Sequence, residues 1–200
     1  MGKNKKKMKR ITVFCGSSFG HGDNYTTQAT LMGQALAKRN IELVYGGARV
    51  GLMGAVANAV LDSGGRAIGV LPKFLKSKEI AHEGLSQLIL VETMHERKTT
   101  MNDLSDGIIA LPGGYGTLEE FFEMLTWAQL GLHEKPIGIL NVDGFYEPLI
   151  ALIQTMVDQG FLKEINQSML LISNNINVLL DKMDNYVAPK AEKWINKETV

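Results

Sequence analysis

Short β-branched runs alternate with helix-period segments along most of this chain, and glycines follow three of the runs directly. ITVFC (11–15), IELVY (41–45), RAIGVL (66–71), LILVE (88–92), GIIAL (107–111) and PIGIL (136–140) have the length and residue types of strands. Between them, Leu31, Met32, Ala35 and Leu36 recur at helical spacing within 24–39, as do Met53, Val56, Ala57 and Val60 within 52–61. Further helices are predicted over 117–131, 145–159 and 176–186. Such repeated strand–helix alternation, with no linker and no internal repeat, confines the chain to an α/β fold: a doubly wound, mostly parallel sheet with helices on both faces.

Length agrees with one domain, since 200 residues at 45% hydrophobic and 21% charged suffice for a sizeable single core. The expected organisation is a basic tail over 1–9, a Rossmann-like α/β domain over 10–188 and a C-terminal extension over 189–200. The opening MGKNKKKMKR holds six of the 21 basic residues and no acid, which leaves the remainder at −6. A short lysine block without an apolar core is no secretory signal, and it reads as a solvated tail rather than a nucleic-acid arm. No basic stripe interleaved with aromatics continues into the body, so neither nucleic acid nor a membrane is an expected partner. No apolar run approaches the roughly 18 residues of a membrane span, and the single Cys15 has no second cysteine to pair with. The cytoplasm is the expected compartment.

In a parallel sheet, ligands bind beyond the C-terminal ends of the strands, and that is where CGSSFG, YGGARVGLMG and LPGGYGT fall. None is a standard fingerprint. G-x-G-x-x-G fails at Glu119, which stands where the third glycine would be, and no G-x-x-x-x-G-K-[ST] loop exists. Glycine turns are either architecture or anion sites; three converging on one sheet edge point to a phosphate-bearing small molecule. The four histidines, His21, His82, His95 and His133, have no metal-ligand spacing, and no metal or other cofactor is expected.

Two segments carry charge where it is unusual. Thr117 and Glu120 have the T-x-x-E spacing of a capping box, which accounts for one glutamate at a helix start but leaves Glu119 and Glu123 on other stripes. In VETMHERKTTMNDLSD (91–106), Met94, Met101 and Leu104 form an apolar stripe and Arg97 falls on it. A buried guanidinium costs several kcal/mol unless paired. Arg97 therefore snorkels, pairs with an acid such as Glu92, or meets an anionic ligand.

MHERKTTM (94–101) and PGGYGTLEE (112–120) together resemble the LONELY GUY (LOG) family of cytokinin-activating phosphoribohydrolases, whose signature is P-G-G-x-G-T-x-x-E with an upstream R-K-x-x-M. The resemblance extends through FCGSS, LVYGG with GLMG, IGVLP, KEIAHEGL and TWAQLGLHEKPIGILNVDGFY. It implies a Rossmann-like homodimer that cleaves the N-glycosidic bond of nucleoside 5′-monophosphates, typically N6-substituted AMP, to free base and ribose 5-phosphate. Position by position, it implies Arg97 and Glu120 as the catalytic pair. It implies Glu79, Lys98, Gly113, Gly114, Tyr115, Gly116, Thr117, Leu118, Glu119 and Thr126 as nucleotide-binding positions. One departure is Ala48, where the family often has a third glycine after the second strand. The apolar segment FFEMLTWAQLGL (121–132) is too hydrophobic for a singly covered helix and agrees with a dimer. The alternatives are a general nucleotide nucleosidase, a non-catalytic nucleotide-binding module, and a pyridoxal phosphate-dependent decarboxylase, for which no lysine has a recognisable Schiff-base context.

Overall fold

The computed structural model describes residues 7–76 and 80–190. Among these residues, seven strands form one sheet in the order β4-β3-β2-β1-β5-β6-β7. They are β1 (Arg10–Phe14), β2 (Glu42–Tyr45), β3 (Ala67–Pro72), β4 (Gln87–Val91), β5 (Gly107–Ala110), β6 (Ile137–Leu140) and β7 (Leu170–Ser173). Every neighbouring pair runs parallel. The first six match the runs read from the sequence. The edge strand β7, LLIS, was not anticipated: it is only half-buried along its length and is too short for a clear period.

Among the described residues, eight α-helices complete the fold: α1 (Asp23–Lys38), α2 (Gly51–Asp62), α3 (Lys73–Lys76), α4 (Met94–Leu104), α5 (Tyr115–Gln129), α6 (Glu147–Asp158), α7 (Glu164–Gln167) and α8 (Ile176–Asp184). Side-chain alternation along the strands divides the core. Ile11, Val13, Leu43 and Tyr45 face Met32 and Leu36 of α1, Val56 and Val60 of α2, and Leu179, Leu180 and Met183 of α8. Phe14, Val44, Val70 and Ile108 face Met101 of α4 and Phe121, Met124 and Ala128 of α5. Each fully buried aliphatic side chain contributes roughly 1.5–3 kcal/mol, so both helical layers are bound by the same strands. Met8 belongs to this core, and the Lys9 N–H donates to Asp106 Oδ2 at 2.8 Å.

Strand order reverses between β1 and β5, which makes the gap beyond their C-terminal ends the topological switch point. The loops after both strands are tied across it: the Gly16 N–H donates to Pro112 O at 3.0 Å, and the Leu52 N–H at the start of α2 donates to Gly16 O at 3.0 Å. Ala48 costs no backbone strain, because Gly47 takes the positive φ of 77° in that loop and Ala48 is not among the residues with positive φ.

Candidate functional site

Two helices deliver charge to the switch point. Helix α4 is fixed at its start by Thr93, whose hydroxyl accepts the Glu96 N–H at 3.0 Å, while Glu96 Oε2 accepts the Glu92 N–H at 2.8 Å. Its other end is held down by Thr12 of β1, which donates to Met101 O at 3.1 Å. So anchored, α4 points Arg97 into the protein, leaving that residue 9% exposed. Arg97 Nε donates to Val70 O at 3.1 Å, and Nη1 stands 3.3 Å from Glu120 Oε1. The partner is Glu120, not Glu92, which ion-pairs instead with Lys73 at the exposed edge.

Helix α5 starts at Tyr115 with Gly114 as its N-cap and no side-chain cap, so the Thr117–Glu120 capping box does not form. Thr117 is already inside the first turn. Its side chain is buried beneath the loop, where it occupies the space a Cβ on Gly113 would need; Gly113 must be bare for that close approach. The T-x-x-E spacing is used at Thr93–Glu96 instead, where the threonine side of the box forms and the glutamate reaches one residue further back. Freed from capping, Glu120 turns inward and is 8% exposed.

The neighbouring carboxylates behave differently. Lys98 Nζ lies 2.6 Å from Glu119 Oε1 and 3.0 Å from Glu123 Oε2, so α4 and α5 are joined by a second ion-paired strap beside Arg97–Glu120. Burial works to lower the Lys98 pKa, but the two carboxylates outweigh it and hold it above the ordinary lysine value. Burial raises the Glu120 pKa above the usual carboxylate range; the Arg97 guanidinium opposes that rise, and Glu119 and Glu123 add to it. Cys15 is buried at the end of β1, its pKa raised by burial and then by the Glu120 charge, which keeps the thiol protonated.

Of the positions expected from the sequence, Arg97, Lys98, Gly113, Thr117, Glu119 and Glu120 converge here. Gly114 and Gly116 face open space, and Tyr115 is 95% exposed at the mouth. Leu118 is half-buried against the apolar core of the α5 side. Thr126 lies six residues beyond Glu120, about 9 Å along the axis, exposed, with its hydroxyl donating to Phe122 O. Glu79 lies outside the described residues. Sequence reasoning missed Tyr146, whose buried hydroxyl donates to Leu111 O at 2.7 Å and holds the root of the glycine loop. It also missed Gly46, against which the Arg97 guanidinium lies. No long-range partner is legible from a lone tyrosine or glycine.

The arrangement places an uncapped helix N-terminus, which attracts anions, one turn from a buried carboxylate suited to a cationic centre. Among the described residues, no group of three or more His, Cys, Asp or Glu is placed to hold a metal ion, and no helix is long and apolar enough to cross a membrane.

Residues 53–183 match the family described as possible lysine decarboxylase. The chain is 45% identical over 197 residues to the cytokinin riboside 5′-monophosphate phosphoribohydrolase LOG2 of Arabidopsis thaliana, covering 98% of this chain and 92% of that protein. It is likewise 45% identical to the enzyme LOG of Oryza sativa subsp. japonica, covering 93% and 77%. Among solved structures, the molybdenum cofactor binding protein of Rippkaea orientalis aligns with a TM-score of 0.67 at 22% identity, over 88% of this chain and 95% of that one. The Moco carrier protein of Chlamydomonas reinhardtii aligns with a TM-score of 0.65 at 19% identity, over 90% and 98%. Those two likenesses concern the fold alone. With a family match over more than half its length and relatives nearly half identical across most of both chains, this protein belongs to the LOG family.

Proposed function

We propose that this protein hydrolyses the N-glycosidic bond of N6-substituted adenosine 5′-monophosphates, releasing the free base and ribose 5-phosphate. Water supplies a hydroxyl to C1′ of the ribose, and its proton goes to the departing base. The observation that carries this reading is the buried Arg97–Glu120 pair one helical turn from the glycine loop. The first-turn N–H groups of Tyr115, Gly116 and Thr117 have no intrahelical acceptor and bind the 5′-phosphate, which sets the ribose over Glu120. Cleavage builds positive charge on the sugar ring, as in glycosidases, and the Glu120 carboxylate stabilises that charge or orients the attacking water. Arg97 favours the ionised carboxylate against the effect of burial and offers its guanidinium to substrate oxygens. Lys98, Glu119 and Thr126 complete the nucleotide contacts in this reading, with Lys98 exchanging a carboxylate for the nucleotide. A decarboxylase needs a lysine free to form an imine, whereas Lys98 is held protonated by Glu119 and Glu123.

Incubation with N6-isopentenyl-AMP, AMP and adenosine, following free base and ribose 5-phosphate, tests the proposal. Release from the modified nucleotide at a higher kcat/KM than from AMP is expected, and adenosine is expected to be the poorest because it forgoes the phosphate contacts. Equal rates on both nucleotides make the protein a general nucleosidase, and no release from either overturns the reading. The chain acts as a homodimer in the same proposal, supported by the partly exposed Phe122, Leu125 and Trp127 of α5. Light scattering at the mass of one 22.0 kDa chain overturns that part.

A further inference from the structure

We propose that Gly46 is the seat of the Arg97 guanidinium: a positioning residue that sets the Arg97–Glu120 geometry because it has no Cβ. Its consequence for catalysis rests on the hydrolase reading above.

Gly46 follows β2 directly, at the C-terminal edge of the sheet. A Cβ built there would overlap Arg97 Nη2, and it would stand 3.3 Å from Arg97 Cζ and 3.1 Å from Met53 Sδ. The guanidinium is thus clasped by two adjacent strands. β3 supplies the Val70 carbonyl to Nε, and the end of β2 supplies a flat backbone surface under Nη2. The Met94 sulfur lies 3.9 Å from Nη1, and the Met53 sulfur borders the space a Cβ on Gly46 would take. With Arg97 only 9% exposed, the group has little room to retreat. A methyl at position 46 must drive it either toward Glu120 or away, changing the 3.3 Å separation.

The requirement is for space rather than conformation. Gly46 is absent from the glycines with positive φ, whereas the adjacent Gly47 has a φ of 77°. Alanine at 46 therefore meets a side chain, while alanine at 47 meets backbone strain.

Thermal melts of Gly46→Ala, made in the parent and in an Arg97→Ala background, test the seat without any activity assay. Overpacking a tight contact is expected to lower Tm by roughly 4 to 10 °C in the parent and by under about 2 °C once Arg97 is gone. Equal lowering in both backgrounds overturns the proposal. If Gly46→Ala alone fails to fold, the double variant must fold, and its failure overturns the proposal equally. Gly47→Ala is the contrast, with the same loss in both backgrounds. For function, Gly46→Ala is expected to lower kcat on N6-isopentenyl-AMP at least ~100-fold with a smaller change in KM, and to add nothing to Arg97→Ala. A folded Gly46→Ala with parental kcat overturns the positioning role. A parent protein that releases no base from any nucleotide overturns the hydrolase reading instead, while the melts still decide the seat.

Discussion

The sheet carries an arginine–glutamate cluster at each end, and the two are built to opposite effect. At the N-terminal ends of the strands, Glu42 accepts from Arg10 Nε at 2.6 Å and from Arg66 Nε at 2.8 Å, with all three side chains in contact with solvent. At the C-terminal ends, Arg97 and Glu120 stand 3.3 Å apart with side chains only 11% exposed. The Arg10 hydrogen bond and both guanidinium charges lower the Glu42 pKa despite slight desolvation, whereas desolvation raises that of Glu120 against the pull of Arg97. The same two residue types thus favour the charged carboxylate where water remains and leave it disfavoured where water is excluded.

The largest expected effect follows directly. Glu120→Gln keeps the shape and removes the charge, and it is expected to lower kcat on N6-isopentenyl-AMP by on the order of 10² to 10⁴, roughly 3 to 5 kcal/mol of barrier. Stability should fall as well, by up to about 3 kcal/mol, because the Arg97 guanidinium is left buried without its counter-charge. Glu119→Gln, whose side chain is 56% exposed, is the control and should cost far less rate. Near-normal turnover by Glu120→Gln would remove the functional half of the comparison.

Arg97→Met comes next, and it separates pairing from burial. It leaves Glu120 buried with its main opposing charge removed, which costs about 3 kcal/mol at neutral pH. The sign is determined by the carboxyl: its folded pKa, already raised, rises further, so the penalty exists above the unfolded value of about 4.3 and fades as pH falls toward it. Melts of Arg97→Met at pH 7.5 and pH 5 should therefore differ less from the parent at the lower pH. The acid limb of the parent's pH–rate profile should also move to higher pH in any Arg97 variant that retains measurable turnover. A pH-independent loss would mean that Arg97 acts by packing alone.

How much of this was legible in the sequence depends on the range of the interaction. Strands β1 to β6 and the long helices are written in local periodicity, so their runs could be read off directly; β7 was missed because LLIS has neither length nor full burial behind it. The importance of Arg97 was visible as a charge on an apolar stripe, but its partner was not, since Glu92 is near in sequence while Glu120 is near only after α4 and α5 dock on the same sheet edge. The T-x-x-E spacing occurs twice, and spacing alone does not tell Thr93–Glu96 from Thr117–Glu120. What decides is that Gly114 already serves as the α5 N-cap.

Lys98 is the intermediate case, its side chain 11% exposed but its partners Glu119 and Glu123 at 56% and 21%. Lys98→Met is expected to cost about 1 to 2 kcal/mol at pH 7, more than an exposed pair and less than Arg97→Met. Because the Lys98 pKa is raised, that contribution is fully present below the unfolded lysine value of about 10.4 and is lost as pH rises through the folded one. Denaturant unfolding showing the full difference at pH 7 and none at strongly alkaline pH would place Lys98 between the two clusters.

The smallest effect belongs to Glu42. Its pairs with Arg10 and Arg66 are solvated, so Glu42→Gln should cost no more than about 1 kcal/mol, or roughly 2 to 4 °C in Tm for a chain of this size. The Glu42 pKa is lowered, so the contribution exists above the unfolded value of about 4.3 and disappears as pH falls through the folded one. It should also shrink in 1 M salt, where charges are screened within about 3 Å, while the Arg97→Met penalty, shielded from solvent, should shrink much less. If Glu42→Gln proved as costly as Arg97→Met, or as indifferent to salt, exposure would not be what distinguishes the two ends of the sheet, and the opposite pKa shifts of Glu42 and Glu120 would need another source.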